Sequence, residues 1–259
     1  MHEPMTPPDP DSTADNATLA VLRGHRSIRK FTDQPIPAAL LEQLLSAGQS
    51  AATSSHVQAT SVIRVRNRSS REALVDLAGG QPYVASCAEF LVFCADMKRI
   101  FDTCARRGVQ ATPGMTEQFI IATVDTSLFA QNLVVAAESA GLGICYIGGI
   151  RNNPQQVSDL LEIPDHVYPL FGLCLGYAAQ DPEVKPRLPL SVIVKDDVYR
   201  DDGDAAAIDA FDQTMEAYYQ SRSANRKQSS WSEQLGVLFT EKTRPHMREF
   251  LRRRGFDFK

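Results

Sequence analysis

A short basic segment near the amino terminus is the first candidate for chemistry. His25, Arg26, Ser27 and Arg29 place two guanidinium groups, an imidazole and a hydroxyl within five positions. A phosphate group carries about two negative charges and three acceptor oxygens near neutral pH. Because Arg answers such a group with planar, multidentate donors, the segment predicts an anion site. A solvated turn with the same composition is the alternative.

Two further segments could contact the rest of a phosphate-bearing ligand. Ser54, Ser55 and His56 follow a predicted helix, where hydroxyls can hold a phosphate or a ring edge. Residues of these types also satisfy the end of a helix by local hydrogen bonds, which is the alternative. Gln81 can both donate and accept toward a heterocyclic ring, and the ring of Tyr83 could cover an aromatic ligand.

A glycine pair and four cations complete the set of candidates. Strand-like sequence runs through Ile147 into Gly148 and Gly149, and a flat ligand can approach backbone that lacks side chains. The pattern is not GxGxxG, so a Rossmann dinucleotide site is not supported. The remaining cations could each hold a phosphate or simply be solvated: Lys185, Arg187, Arg222 and Lys227.

Other classes of chemistry find little support. The sequence has no GxSxG motif, no His pair with metal-ligand spacing and no CxxC among its five cysteines, so we expect neither hydrolysis nor a metal site. The formal net charge of −4 argues against a general nucleic-acid binder. Contiguous apolar runs are too short to span a bilayer and no signal-peptide pattern is visible, so the predicted location is the cytoplasm.

The candidate residues must be positioned by interleaved helices and strands, which predicts an α/β or α+β class. Residues 1–18 are rich in proline and acidic residues, lack Lys and Arg, and are predicted to form a disordered leader. Strands are predicted at 61–66, 90–95, 144–147, 170–177 and 191–195. Helices are predicted after Pro37, over 125–140 (apolar nearly all round, so central or at a subunit interface), from Asn153, from a cap at Asp204, and from a capping box at Ser230.

Six segments in order resemble one known family. The segments HRSIRKFTDQPI, SSHVQ, GGQPYV, YIGGIRNN, FGLCLGY and KPRLP are similar to those of the FMN-dependent nitroreductase superfamily. The branch with oxygen-insensitive NADPH nitroreductases and NADPH–flavin oxidoreductases is the most similar. The resemblance extends from about Leu19 to the C-terminus and reverses the preference for solvated turns.

The resemblance implies a fold and a set of binding residues. It implies an α+β domain over 19–259, with a mainly antiparallel central sheet surrounded by helices, in an intertwined homodimer with FMN at the interface. A basic loop near 221–229 is implied to be mobile. The residues that it implies for FMN are His25, Arg26, Ser27, Arg29, Ser54, Ser55, Gln81, Tyr83, Ile147, Gly148, Gly149, Lys185 and Arg187. It implies Arg222 and Lys227 for the 2′-phosphate of NADPH, with Arg226 as an alternative to Lys227, and places His56 beside the substrate.

The activity implied by the resemblance is NADPH-dependent reduction of nitroaromatics, quinones or related flat electrophiles by ping-pong hydride transfer. The flavin performs the chemistry, so no catalytic side chain is required. Two alternatives remain open: a flavin reductase that supplies reduced FMN to a partner, and a non-catalytic flavin-binding sensor. Arg222 and Lys227 argue against the sensor, which needs no site for NADPH.

Overall fold

An antiparallel sheet of four strands forms the centre of the chain. The computed structural model describes residues 16–222, 226–241 and 243–259. The strands are β1 (Thr60–Val65), β2 (Glu89–Asp96), β3 (Gly143–Ile147) and β4 (Val167–Gly176). Their order across the sheet is β1-β2-β4-β3, and every neighbouring pair is antiparallel. The α+β fold with a mainly antiparallel sheet is therefore confirmed.

Helices surround this sheet on both faces. Within the described ranges they are α1 (Ala17–Arg23), α2 (Ala38–Gln49), α3 (Arg68–Leu77), α4 (Tyr83–Ser86), α5 (Lys98–Arg106), α6 (Thr116–Ser139), α7 (Pro154–Leu160), α8 (Leu190–Ile193), α9 (Asp204–Ser221), α10 (Trp231–Glu241) and α11 (Met247–Arg253). Two 3₁₀ turns, Ser54–His56 and Gly148–Asn152, follow α2 and β3.

Strand β2 lies in the middle of two apolar layers. All eight of its residues are buried. Successive side chains of a strand point to opposite faces, so Phe90 and Val92 pack in the layer that contains α3 and α7. Leu91 and Phe93 pack in the layer that contains α2 and α6. Full burial of such side chains contributes about 1.5–3 kcal/mol each, which is why this run is apolar without alternation.

Helix α6 packs along one face of the sheet and against α2. It begins at Thr116, nine residues before the predicted start. Its sheet-facing side buries small and apolar residues, but Ile120, Val124 and Leu128 are 42–48% exposed on the other side. By length and composition alone, α6 is the one helix in the described part of the chain that could cross a membrane. Its contacts with α2 and β2 are those of a core helix.

Two local predictions were wrong. The segment 191–195 was predicted as a strand, but α8 covers most of it, and Val194 N donates to Leu190 O at 2.7 Å. No strand of the described residues pairs with this segment, so its backbone is satisfied locally instead. Asp204 is not the cap of α9: Gly203 occupies that position with φ of 85°, and Asp204 lies in the first turn, ion-paired with Lys195.

The ends of the fold agree with the sequence in part. Asn16 caps α1, with Thr18 N donating to its Oδ1 at 2.8 Å, so residues 17 and 18 of the predicted leader are helical. Residues 1–15 of that leader, and 223–225 of the predicted basic loop, lie outside the described residues. The capping box is confirmed, because Glu233 N donates to Ser230 Oγ and Ser230 N donates to Glu233 Oε2.

Candidate functional site

A cavity of about 390 Å³ gathers basic side chains from both ends of the chain. Its lining comprises His25, Arg26, Ser27, Arg29, Pro182, Glu183, Lys185, Arg187, Tyr218, Tyr219, Arg222 and Lys227. The lining therefore contains six Lys or Arg residues and one His but only one carboxylate, Glu183, in a chain whose net charge is −4. Such a concentration of positive charge attracts anions.

The basic segment is held in place by the edge of the sheet. Ser27 forms a bridge with Ile144 of β3, and Ile28 N donates to Ile144 O at 2.8 Å. The Ile28 side chain is buried, and a Cβ on Gly143 would lie only 2.6 Å from it. Since side chains alternate along extended backbone, burial of Ile28 leaves Ser27 and Arg29 on the cavity side.

Two of the basic groups have carboxylate partners at this site. His25 Nδ1 lies 2.7 Å from Glu138 Oε1 of α6, and Arg26 Nε donates to Asp181 Oδ1 at 3.0 Å. Glu138 is mostly buried, whereas the side chain of Asp181 is 82% exposed. An incoming anion therefore competes with these carboxylates for His25 and Arg26.

The far side of the cavity is formed by the segments around α9. Arg187 Nη1 donates to Lys185 O at 2.8 Å, which folds the 185–187 segment onto itself. Arg222 and Lys227 reach the cavity beside Tyr219, and Arg222 Nε is buried without a hydrogen-bond partner among the described residues. Buried N–H groups are rarely left without a partner, so this one favours an anion at the site.

A line of contacts leads from the cavity to the glycine pair. Tyr83 Oη donates to Gln81 Oε1 at 2.6 Å, and Gln81 Nε2 donates to Ala78 O at 2.7 Å. Burial, and then Cys145, raise the pKa of Tyr83, while the hydrogen bond and charge of Arg29 partly offset the rise. The hydroxyl of Tyr83 therefore stays protonated near neutral pH.

The glycine pair closes this line at the end of β3. Ile147 is fully buried, so it offers only backbone to a ligand. A Cβ on Gly149 would lie 2.2 Å from Ala78 O and 2.4 Å from Gln81 Nε2, so any larger residue would displace the Gln81 side chain. Glycine at position 149 is needed for this close approach of two segments.

The second predicted polar segment does not line the cavity. Ser54, Ser55 and His56 form the 3₁₀ turn after α2, and Ser54 N donates to Asp125 Oδ1 of α6 at 2.9 Å. His56 is exposed and its Nε2 lies 3.1 Å from Gln58 Nε2. The prediction that these residues share a site with His25–Arg29 is therefore not met within one copy of the chain.

Sequence reasoning missed several groups that shape the site. Glu138, Asp181 and Tyr219 were given no role, although each contacts a predicted cation. Asp125, which also accepts from Ala59 N at 3.2 Å, is 1% exposed. A lone carboxylate inside an apolar helix is a signal that could have been read, because a buried charge requires hydrogen-bonding partners.

The cavity lies where two known domain families meet along the chain. The model of the nitroreductase family matches residues 22–177, and that of the nitroreductase family C-terminal domain matches residues 185–259. This chain belongs to the nitroreductase family. The basic segment 25–29 of this nitroreductase lies in the first match, and Lys185, Arg187, Arg222 and Lys227 lie in the second. The resemblance deduced from the six segments is confirmed.

Individual relatives of this nitroreductase span almost its full length. It is 44% identical over 239 residues to an oxygen-insensitive NADPH nitroreductase of Salmonella typhimurium, covering 92% of this chain and 98% of that protein. It is 44% identical to an NADPH-flavin oxidoreductase of Vibrio harveyi, with 93% and 98% covered. The crystal structure of nitroreductase A from Vibrio parahaemolyticus superposes with a TM-score of 0.88 at 44% identity, covering 95% of this chain and all of that one.

Proposed function

We propose that this chain is an NADPH-dependent FMN oxidoreductase that reduces nitroaromatics, quinones or similarly flat electrophiles. The observation that carries the proposal is the cavity that joins Ser27 and Arg29 to Lys185 and Arg187 across the chain. The names of the Salmonella typhimurium and Vibrio harveyi relatives, an NADPH nitroreductase and an NADPH-flavin oxidoreductase, support the same activity.

The residues of the cavity fit the phosphate of FMN. Two guanidinium groups, an ammonium and a hydroxyl supply charge-assisted donors for its oxygens. This phosphate would be held by Ser27, Arg29, Lys185 and Arg187. His25 and Arg26 would also contact it once they separate from their carboxylate partners. The Nε of Arg222, buried without a partner among the described residues, fits an anionic occupant as well.

The line of contacts from Arg29 to the glycine pair fits the rest of the cofactor. Gln81 and Tyr83 would hold polar atoms of the ribityl chain and ring, and the backbone at Gly148 and Gly149 would face the ring. FMN, when bound, supplies acceptance of a hydride from NADPH and its delivery to a second substrate. The hydroxyl of Tyr83, protonated near neutral pH, donates its one proton to Gln81 Oε1 and so orients the amide of Gln81.

A second copy of the chain would complete the site. Ile120, Val124 and Leu128 form an exposed apolar stripe along α6, and such patches mark interaction surfaces. Ser54, Ser55 and His56 do not reach the cavity of their own chain, so we infer that they reach the cofactor of a partner chain. His56 would then lie beside the substrate, where it could donate to a nitro or quinone oxygen.

The cellular setting that we propose is the cytoplasm. The partners required are a second copy of the chain, NADPH and small electron acceptors, and neither a membrane nor a nucleic acid is part of the proposal. Donor and acceptor would use one open site in turn, which is ping-pong kinetics.

A flavin reductase that releases reduced FMN is the second candidate, because the Vibrio harveyi relative is named an NADPH-flavin oxidoreductase. Turnover with nitrofurazone, a quinone and free FMN, each with NADPH as donor, separates the two roles. With nitrofurazone and with the quinone, we expect double-reciprocal plots of the initial rate at several NADPH concentrations to give parallel lines. Turnover with free FMN but with neither nitrofurazone nor the quinone would favour the flavin reductase.

The first experiment is identification of the flavin in the purified protein. We expect a yellow protein that releases FMN on denaturation and loses its visible absorption when NADPH is added without oxygen. A colourless protein that cannot be reconstituted with FMN would refute the proposal. Stable colour without reduction by NADPH, whatever the acceptor, would instead favour a flavin-binding sensor.

A further inference from the structure

Tyr219 lies at the centre of the cations on the far side of the cavity. It belongs to α9, is 4% exposed and packs with Phe211 and Met215. Its ring nevertheless forms part of the cavity lining. A buried aromatic ring at the edge of an anion site can attract the cations around it as well as pack in the core.

Three cations surround the Tyr219 ring. Lys227 Nζ lies 4.3 Å from the ring centroid, Lys185 Nζ 5.5 Å and Arg222 Cζ 6.0 Å. A cation within about 6 Å of an aromatic face is attracted by the ring quadrupole. Burial alone would raise the pKa of Tyr219, but hydrogen bonding to Lys185, its charge, Gln234 and Lys227 outweigh burial and lower it.

The orientation of this ring is fixed from the opposite side. Tyr219 Oη donates to Gln234 Oε1 of α10 at 3.0 Å, and Gln234 Nε2 donates to Ser230 O at 2.7 Å. Ser230 also closes the capping box that begins α10. The ring is therefore a rigid surface between α9 and α10, and the lysines are the movable members of the cluster.

Lys227 gains most from such a surface because its own segment is exposed. A free lysine side chain carries about 2 kcal/mol of rotamer entropy, which binding of a phosphate must overcome. Contact with the ring limits that freedom in advance. The neighbouring Arg226 does not line the cavity, and its Nε donates to Arg222 O at 2.8 Å. Of the two adjacent cations, only Lys227 is directed to the site.

We propose that Tyr219 is a positioning residue that determines the preference for NADPH over NADH, by holding Lys227 where the 2′-phosphate of the nucleotide binds. The inference rests on the proposed NADPH-dependent function. Lys185 and Arg222 share the ring, but Lys227 is the nearest cation and the one on an exposed segment.

The test compares Tyr219→Leu, Tyr219→Phe, Lys227→Ala and the double variant Tyr219→Leu/Lys227→Ala as FMN-loaded enzymes. We expect Tyr219→Leu to raise the KM for NADPH about twofold to fivefold, the range of a cation–π contact whose cation is exposed. The KM for NADH should stay unchanged, because NADH lacks the 2′-phosphate. Tyr219→Phe keeps the ring but loses the hydrogen bond to Gln234, so its KM for NADPH should rise less than that of Tyr219→Leu, with the KM for NADH unchanged.

A thermodynamic cycle shows whether Tyr219 acts through Lys227. In the Lys227→Ala background, Tyr219→Leu should cause no further loss, because coupled residues are not additive. Calorimetric titration with adenosine 2′,5′-bisphosphate and with 5′-AMP gives the same comparison without turnover. Only the first ligand should bind more weakly to Tyr219→Leu. Arg226→Ala is the matched control for loss of one positive charge from the same segment.

Three results would overturn the inference: equal changes for NADPH and NADH, full additivity with Lys227→Ala, or a Tyr219→Phe variant as impaired as Tyr219→Leu. If leucine prevents folding, Tyr219→Met fills a similar volume without an aromatic face and replaces it in every comparison. Failure of the proposed function would be recognised by a different result. In that case the parent protein itself would not be reduced by NADPH, or would not distinguish NADPH from NADH.

Discussion

His25 and Arg26 each lie against a carboxylate. These two pairings govern how strongly the basic segment attracts an anion. Glu138 holds His25 from within the fold, whereas Asp181 holds Arg26 from solvent. Ion pairs of exposed groups contribute little to stability. We therefore interpret Asp181 as a group that lowers the affinity of the cavity for anions rather than one that stabilises the fold.

Removal of this exposed carboxylate should strengthen anion binding. We expect Asp181→Asn to raise the affinity for FMN about twofold to fivefold, because it frees Arg26 and removes a negative charge. The gain should shrink at high salt, which screens exposed charges. Fluorescence titration of the apoprotein with FMN measures both effects. Asp201→Asn, an exposed aspartate outside the cavity lining, is the control, and an equal gain there would attribute the change to net charge alone.

The turn after α2 is the element that links the sheet to the proposed partner site. Ser55, His56 and Gln58 have φ of 46°, 57° and 55°, a region that residues with side chains rarely adopt. Hydrogen bonds from amides on both sides of the turn to buried Asp125 hold this conformation. The backbone strain is therefore spread over several residues of the turn, and the hydrogen bonds to Asp125 offset it.

Weakening of this anchor should destabilise the chain without removing apolar volume. We expect Asp125→Asn to lower the free energy of unfolding by about 1–3 kcal/mol, because an amide cannot accept both hydrogen bonds as the carboxylate does. Urea denaturation measures the change. Asp102→Asn removes an aspartate that is half exposed in an ion pair with Lys98, and should change stability by less than about 0.5 kcal/mol. Equal effects would contradict the role of Asp125 as an anchor.

The strands illustrate what could be predicted at the scale of elements. Buried runs such as Phe90–Ala95 were predicted correctly because burial on both faces leaves a continuous apolar pattern. The exposed segment 191–195 was predicted wrongly because apolar residues alone do not supply a neighbouring strand. Helices α3 and α5 were missed because their sequences are mostly polar, and α5 buries no residue completely.

At the scale of the whole molecule, the exposed stripe on α6 is an apolar surface that one copy of the chain leaves uncovered. Its three residues recur at intervals of four, so they lie on one face of the helix. A buried polar anchor, Asp125, directly follows Val124 and lies about 100° around the same helix from it. Helix α6 thus joins the proposed dimer surface to the turn that carries His56.

Disruption of the stripe should therefore affect both assembly and cofactor. We expect Val124→Glu to convert a dimer to a monomer in sedimentation analysis, and to reduce the amount of FMN retained after purification. Leu160→Glu places the same charge on another exposed apolar residue and should leave both unchanged. A dimer that survives Val124→Glu with its FMN would contradict the proposal that this surface completes the site.

The long sequence separation between the segments that form the site limits how much of the site can be predicted from the sequence. The sequence indicates that His25–Arg29 and Lys185–Arg187 are each possible anion sites, and only the family resemblance joined them. The join depends on β4, which pairs with β2 as well as with its predecessor β3, and no local pattern specifies the pairing of β4 with β2. The carboxylate partners Glu138 and Asp181 depend on the same three-dimensional arrangement and could not be predicted.

Titration of the apoprotein with FMN and with riboflavin tests the central claim most directly, because the two ligands differ only in the phosphate. Each charge-assisted hydrogen bond contributes about 1.5–3 kcal/mol, so two such bonds predict FMN binding at least about a hundredfold tighter than riboflavin. Arg29→Ala should narrow that ratio about tenfold or more while leaving riboflavin unchanged. Equal affinity of the parent protein for both flavins, or a ratio unaffected by Arg29→Ala, would contradict the assignment of this cavity to the phosphate of FMN.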